Sequence, residues 1–248
     1  MPQVLALKNA PPSDNASIRT MFDRLAGRYD LFNALTSFGM DTLWRARALS
    51  IVRPGQRVLD LGCGTGDLTL GAAERLRGQG EVVGLDLSPR MLEVARARLQ
   101  RRYPQGAPVR WIEGRAEDVA DHGVTYDAVL SGFVLRNLRS GLDQVLVGLR
   151  RSTSAGAPLA LLDFTEPRSA VMRRAWRAYM DRIVPLWGKA LFGGDFPEGY
   201  MAASAACFDK PEEMAARLRT AGLTEVRYRI YGCGSIVLYN AVNPERVR

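Results

Sequence analysis

The sequence predicts an α/β fold built on a seven-stranded sheet, with six strands parallel and the last antiparallel. Three observations carry that expectation. Short apolar, β-rich runs alternate with amphipathic stretches between Arg57 and Asp163. A glycine-rich turn follows the first run directly. The final two runs are joined only by Tyr231-Gly232-Cys233-Gly234, too short for a parallel crossover, so they form a hairpin.

The first five strand runs are RVLDLG at 57–62, EVVGLD at 81–86, VRWIEG at 109–114, YDAVLSG at 126–132 and PLALLDF at 158–164. Their nearly continuous apolar character suits strands covered on both faces. DLTLGAAERL, PRMLEVARARLQRR and GLDQVLVGLRR lie between them and space their apolar residues as helices do. The alternation then stops. Ala170 to Leu191 carries Trp176, Tyr179, Met180, Val184 and Trp187 at three- and four-residue intervals, which predicts a long helix. A further helix, KPEEMAARLRTAG, precedes the strands EVRYRI (225–230) and SIVLYNAV (235–242). One domain over 14–248 results, with a helical lid at 14–50, a helical insertion at 165–222 and a flexible tail at 1–13.

With 248 residues, 47% apolar and 24% charged, the composition is that of an ordinary globular protein. No apolar run reaches the roughly 18 to 20 residues of a membrane span. The N-terminal stretch lacks the features of a signal peptide, so a cytoplasmic protein is expected. Three cysteines without C-x-x-C spacing and a single histidine, His122, argue against a metal centre. The net charge of +8 comes mostly from arginine, since only Lys8, Lys189 and Lys210 are lysines. These charges are dispersed as on solvated helix faces, and no nucleic-acid-binding module is visible.

The stretch Val58-Leu59-Asp60-Leu61-Gly62-Cys63-Gly64-Thr65-Gly66-Asp67 reads as a strand entering a tight turn and a helix. Gly62 and Gly64 allow a ligand close to the backbone. Carboxylates on both sides of the turn disfavour a pyrophosphate and favour a cationic, amine-bearing ligand. Asp86 ends the second strand, where a carboxylate accepts ribose hydroxyls. After the third strand, Arg115 and Ala116 offer backbone groups to an adenine, and Glu117 or Asp118 an acceptor for its amino group.

Asp60, the GxGxG turn and Asp86 resemble the class I S-adenosylmethionine-dependent methyltransferases, whose Rossmann-like sheet has the predicted strand directions. Tyr29-Asp30-Leu31-Phe32-Asn33, Ser37-Phe38-Gly39, Leu43-Trp44, Leu135-Arg136-Asn137 and LLDFTEP (161–167) are more specific. With them the chain, from about 18 to 242, resembles the menaquinone/ubiquinone biosynthesis C-methyltransferases. The resemblance implies transfer of a methyl group from S-adenosylmethionine to a ring carbon of a reduced polyprenyl quinone. It puts Thr65, Asp86 with Leu87, and Arg115-Ala116 on the cofactor. It puts Tyr29, Asp30, Asn33, Arg136 and Asn137 around methyl transfer, with Tyr200 and Ser204 of a late segment on the substrate. Two departures stand out. The family's serine before Phe-Gly-Leu-Arg-Asn falls at Gly132, with Ser131 adjacent as its substitute, and Ala203 to Ala205 replace its Leu-x-Glu-Ser pattern in part.

The chemistry assigns roles to these residues. A quinol carbon becomes nucleophilic when the neighbouring hydroxyl loses its proton, and a free phenol has a pKa near 10. Arg136 cannot serve as the base, but it can stabilise a phenolate or hold a water, and Asn137 can orient that oxygen. Asp163 and Asp30 are the candidate bases; His122 is expected near the opposite edge of the sheet. Trp176, Tyr179, Trp187 and Phe192 are candidates for a tail channel opening toward a membrane surface. A soluble aromatic acceptor, an RNA substrate and a non-catalytic role in an assembly are the other readings. Homodimerisation is left open.

Overall fold

The computed structural model describes residues 14–138 and 140–245, so the expected tail at 1–13 lies outside the described residues. Its strands are β1 (Arg57–Leu61), β2 (Glu81–Asp86), β3 (Val109–Glu113), β4 (Ala128–Gly132), β5 (Pro158–Phe164), β6 (Thr224–Tyr231) and β7 (Ile236–Val242). Their order across the sheet is β3-β2-β1-β4-β5-β7-β6. The first five pair in parallel. β7 runs antiparallel to both its neighbours, so β6 points the same way as the first five, as the hairpin requires. Strand order reverses between β1 and β4, and the crevice outside their carboxyl ends is where open α/β sheets bind ligands.

The helices are α1 (Asn15–Leu25), α2 (Tyr29–Ser37), α3 (Asp41–Ala48), α4 (Asp67–Leu76), α5 (Pro89–Arg102), α6 (Leu142–Ser152), α7 (Ala170–Phe192), α8 (Tyr200–Ala206) and α9 (Pro211–Thr220). Local chemistry starts several of them. Asp14 accepts the Ser17 N–H at 2.8 Å before α1. Ser88 accepts that of Met91 at 3.1 Å, and Pro89 fills the first position of α5, where its missing N–H costs nothing.

Alternate residues along each strand feed two cores, as the two-residue period demands. Leu59, Leu61, Val129, Leu159 and Leu161 pack with Val145, Leu146 and Leu149 of α6 and with Met214, Ala215 and Leu218 of α9. Val58, Ala128, Leu130, Ala160 and Leu162 pack with Leu68, Ala72 and Leu76 of α4 and with Trp44 and Ala48 of α3. Each fully buried leucine contributes about 1.5–3 kcal/mol. The position of α9 narrows the expected insertion. It covers the β6–β7 end of the sheet, so the helices outside the central layers end with α8.

The lid and the insertion share a third, smaller core. Phe32 of α2 packs with Trp176, Met180 and Val184 of α7 and with Phe196. Two hydrogen bonds fasten the same contact, from Tyr179 Oη to Thr36 O at 2.8 Å and from Arg28 Nη1 to Leu191 O at 2.7 Å.

Gly80, in the turn before β2, has φ +108°, and a Cβ there would lie 2.2 Å from the Gln56 carbonyl oxygen. Gly80→Ala is therefore expected to destabilise the fold by about 1–3 kcal/mol. Urea denaturation should show a lower midpoint with an unchanged slope.

Candidate active site

The glycine-rich turn folds back onto the end of β2. Leu85 O accepts the N–H groups of Gly62 at 2.8 Å and Cys63 at 3.0 Å, and Asp86 Oδ2 accepts that of Gly64 at 2.7 Å. Gly62 has no substitute here, because at φ +68° a Cβ would lie 2.4 Å from Val134 Cγ2. Asp86 Oδ1 takes the Ser88 N–H at 2.8 Å. Burial pushes the Asp86 carboxyl up, and these backbone donors pull against it. Asp60 is buried and accepts from Thr69 Oγ1 at 2.6 Å. Burial pushes its pKa up to about 7, with the Thr69 bond opposing and the charges of Asp86 and Asp67 adding to the rise.

Asp60, Gly62, Gly64, Thr65, Asp86, Leu87, Arg115 and Ala116 all line one cavity at the carboxyl edge. Glu117 lines it as well; its buried Oε2 lies 3.6 Å from Arg115 Nε but makes no hydrogen bond among the described residues. An adenine amino group is the donor such an oxygen lacks, whereas Asp118 is not part of the wall. The residues thus fit S-adenosylmethionine, with carboxylates for its ribose, ammonium and adenine groups. Ser131 does not join them. Its hydroxyl donates to Leu61 O on the neighbouring strand at 2.8 Å, fully buried, and Gly132 forms the wall instead.

A second, mostly apolar cavity of about 330 Å³ adjoins the first. Tyr29, Arg45 and Phe133 line both. Phe133 has φ +64°, a strained conformation for an aromatic residue, which places its ring at the junction. Asn33, Arg136 and Tyr200 line the second cavity, while Asn137 lines the first and accepts from Tyr200 Oη at 2.6 Å. Ser204 is buried away from both, donating to Met201 O at 3.2 Å within its own helix, and Met201 takes its place on the wall. Of the expected tail channel, Trp176 and Tyr179 line this cavity. Trp187 is exposed, and Phe192 packs against Phe32 and Phe196.

The candidate bases are engaged elsewhere. Asp163 Oδ1 accepts Arg136 Nη1 at 2.8 Å and the Phe164 N–H at 2.7 Å, while Oδ2 accepts the Arg136 N–H at 3.0 Å. It lies behind Arg136 and reaches neither cavity. Asp30 accepts from Thr65 Oγ1 and pairs with Arg98 Nη1 at 2.9 Å, so it ties the lid to the turn from outside the chamber. The His122 ring reaches toward Gly114, just after β3, and lines neither cavity. Arg45 was not foreseen, nor were Phe22 and Ile18 of α1 on the first cavity. Their roles arise from how the lid docks, which no local motif marks.

This arrangement of sheet, turn and paired cavities defines an S-adenosylmethionine-dependent methyltransferase. Solved structures share the fold. They include magnesium protoporphyrin IX methyltransferase from Synechocystis (TM-score 0.59, 19% identity, covering 92% of this chain and 99% of that one). A Thermotoga maritima S-adenosylmethionine-dependent methyltransferase gives a TM-score of 0.60 at 18% identity, covering 91% and 99%. The model of the ubiE/COQ5 methyltransferase family matches residues 11–243, and the chain belongs to that family. A demethylmenaquinone methyltransferase from Thermus thermophilus is 35% identical over 226 residues, 90% of this chain and 100% of that one. The ubiquinone/menaquinone biosynthesis C-methyltransferase of Pseudomonas fluorescens is 33% identical over 240 residues, covering 96% and 93%.

The raised pKa of Asp60 has two consequences of opposite sign. The unliganded fold holds a proton that the unfolded chain releases, so its stability falls as pH rises from the ordinary carboxylate value of 3.8 toward about 7. A cationic cofactor prefers the ionised carboxylate, so its affinity rises as pH passes through about 7. Calorimetric titration with S-adenosylmethionine is expected to show about tenfold tighter binding at pH 8 than at pH 6. In Asp60→Asn the affinity should be weaker and flat with pH.

Proposed function

We propose that this enzyme methylates a ring carbon of a reduced polyprenyl quinone precursor, a demethylmenaquinol or a benzoquinol. The observation that carries the proposal is the Arg136 guanidinium. It is buried, held from behind by Asp163 and set on the wall of an apolar chamber beside the cofactor cavity. Its Nε is buried with no hydrogen-bond partner among the described residues. A phenolate oxygen supplies the acceptor that this donor lacks. The relatives named as demethylmenaquinone and ubiquinone/menaquinone methyltransferases support the same acceptor class.

S-adenosylmethionine, when bound, supplies an electrophilic methyl group. The chain's own residues prepare the nucleophile. Tyr29 reports the field in the chamber: burial pushes its phenol up, while the charges of Arg136 and then Arg45 pull it down. An acceptor phenol in the same chamber feels the same two cations, which favour its ionised form. Tyr200 and Asn137, hydrogen-bonded across the cavity junction, hold the ring at the correct height. The apolar walls exclude water from the transfer. With Asp163 and Asp30 engaged, the proton leaves through water held at Arg136 and Tyr29.

Purified protein incubated with S-adenosylmethionine and chemically reduced demethylmenaquinone is expected to give a C-methylated product by mass spectrometry. The oxidised ring should give none. Arg136→Ala is expected to lower kcat on the order of 10²–10³-fold. Turnover of a soluble phenol instead of the quinol would replace the acceptor class; bound cofactor without any product would count against a catalytic role.

A prenyl tail brings the enzyme to a lipid surface, and we propose peripheral contact there by a protein that otherwise resides in the cytoplasm. No helix among the described residues is long and apolar enough to cross a membrane. Phe38, 75% exposed at φ +54°, stands with the exposed Met40 and Met172 at the chamber wall. Sedimentation with phosphatidylglycerol-containing vesicles is expected to carry down the protein, and Phe38→Asp should leave most of it in the supernatant.

A further inference from the structure

We propose that Arg45 is the residue that holds the α-carboxylate of S-adenosylmethionine. The inference rests on the assignment of the first cavity to that cofactor. The ligand is a zwitterion with an additional sulfonium charge, and the cavity suits its cationic part. Asp60, Asp67, Asp86 and Glu117 all line the wall. The same carboxylates repel the ligand's own carboxylate, which needs a cation among them.

Among the described lining residues, two arginines qualify, and they lie at opposite ends. Arg115 follows β3, pairs with Glu117 at 3.6 Å and belongs to the end where Asp86 and Glu117 receive the nucleoside. Arg45 lies at the other end. Its Nη2 is 3.2 Å from Asp67, the residue that follows the glycine-rich turn. Its guanidinium stacks over the Phe133 ring, 5.3 Å from the centroid, just beyond the end of β4. With the nucleoside along β2 and β3, the amino-acid part of the cofactor extends toward β1 and β4, where Arg45 stands.

The side chain is built for precise placement. It is 11% exposed, and Asp41 and Asp67 grip it from two sides. A guanidinium carries five N–H donors, so these contacts leave donors for a third carboxylate. Stacking on Phe133 fixes its plane. Asp67 is itself neutralised by Arg98 Nη2 at 2.7 Å, so Arg45 keeps positive character toward the cavity. Arg45 also sits on α3 of the lid, so the contact closes the lid onto the cofactor.

The test compares S-adenosylmethionine with decarboxylated S-adenosylmethionine by calorimetric titration, without any acceptor. Wild type is expected to bind the decarboxylated ligand about ten- to hundredfold more weakly, the effect of one charge-assisted pair. In Arg45→Gln that discrimination should collapse to within about twofold, through loss of affinity for the carboxylated ligand alone. Arg45→Lys, which keeps the charge, should recover part of it. Arg98→Gln removes a brace of the same network from outside the cavity and should weaken both ligands alike. Equal losses for both ligands in Arg45→Gln, or discrimination as large as in wild type, would overturn the proposal. Wild-type protein that binds neither ligand would instead overturn the cofactor assignment beneath it.

Discussion

Arg136 and Asp163 meet where β4 and β5 end, with side chains 3% and 0% exposed and Nη1 2.8 Å from Oδ1. Taking both charges out of water is costly, and such a pair is tolerated only when its remaining hydrogen-bonding groups are also served. Here they largely are. Phe133 O accepts Arg136 Nη1 at 2.6 Å, the Arg136 and Phe164 N–H groups complete the carboxylate, and the Phe164 ring lies 4.9 Å from the guanidinium carbon. The pair locks two strand ends together and orients Arg136. Phe133, Asn137 and Phe164, all within one residue of the pair or bonded to it, are positioned by the same lock. The cost of burying a charge at a strand end is thus offset by the ion pair and the hydrogen bonds that surround it.

The lid is a shared wall rather than a cover added to a finished site. Tyr29 and Arg45 of α2 and α3 bound both cavities, and Phe22 of α1 does so as well. Polar contacts hold these helices against the cofactor-binding elements: Asn15 Nδ2 to Glu117 at 3.3 Å, Ser88 Oγ to Asp23 at 2.6 Å, and the network of Asp30, Arg98, Asp67 and Arg45. Each is modest, since partly exposed pairs contribute about 1 kcal/mol or less. The hold of these helices on the sheet is thus spread over several weak contacts and depends on no single pair.

The parts of this architecture governed by local rules were legible in the sequence. Strand alternation, the glycine-rich turn and the Gly-bearing hairpin gave the sheet and its single reversed strand, and Asp60 and Asp86 marked the wall of the first cavity. What escaped depends on side-chain direction and tertiary docking. Ser131 and Gly132 are neighbours on β4, yet the backbone bond to Leu61 removes the serine while the glycine forms the wall. Ser204 and Met201 lie three residues apart on one helix, on neighbouring faces, yet only Met201 reaches the cavity, while the serine hydroxyl turns back to the Met201 carbonyl. Asp30 and Asp163 sit within the correct motifs, but Thr65, Arg98 and Arg136 claim them. Arg45 resembles the other arginines of a basic chain until Phe133 and Asp67 are brought beside it.

The order of strands also bears on how the polypeptide matures. β7 lies between β5 and β6 and pairs with β5 along its whole length, from Pro158 opposite Val242 to Phe164 opposite Ile236. While the chain emerges from the ribosome, the cofactor half has all of its strands by the time β5 appears. β5 then waits with an open edge until the last of these segments is translated. During that interval the long insertion and α9 are the segments available to shield it. A nascent chain arrested there already carries the glycine-rich turn, and it exposes an apolar strand edge that a chaperone or a second nascent chain can capture.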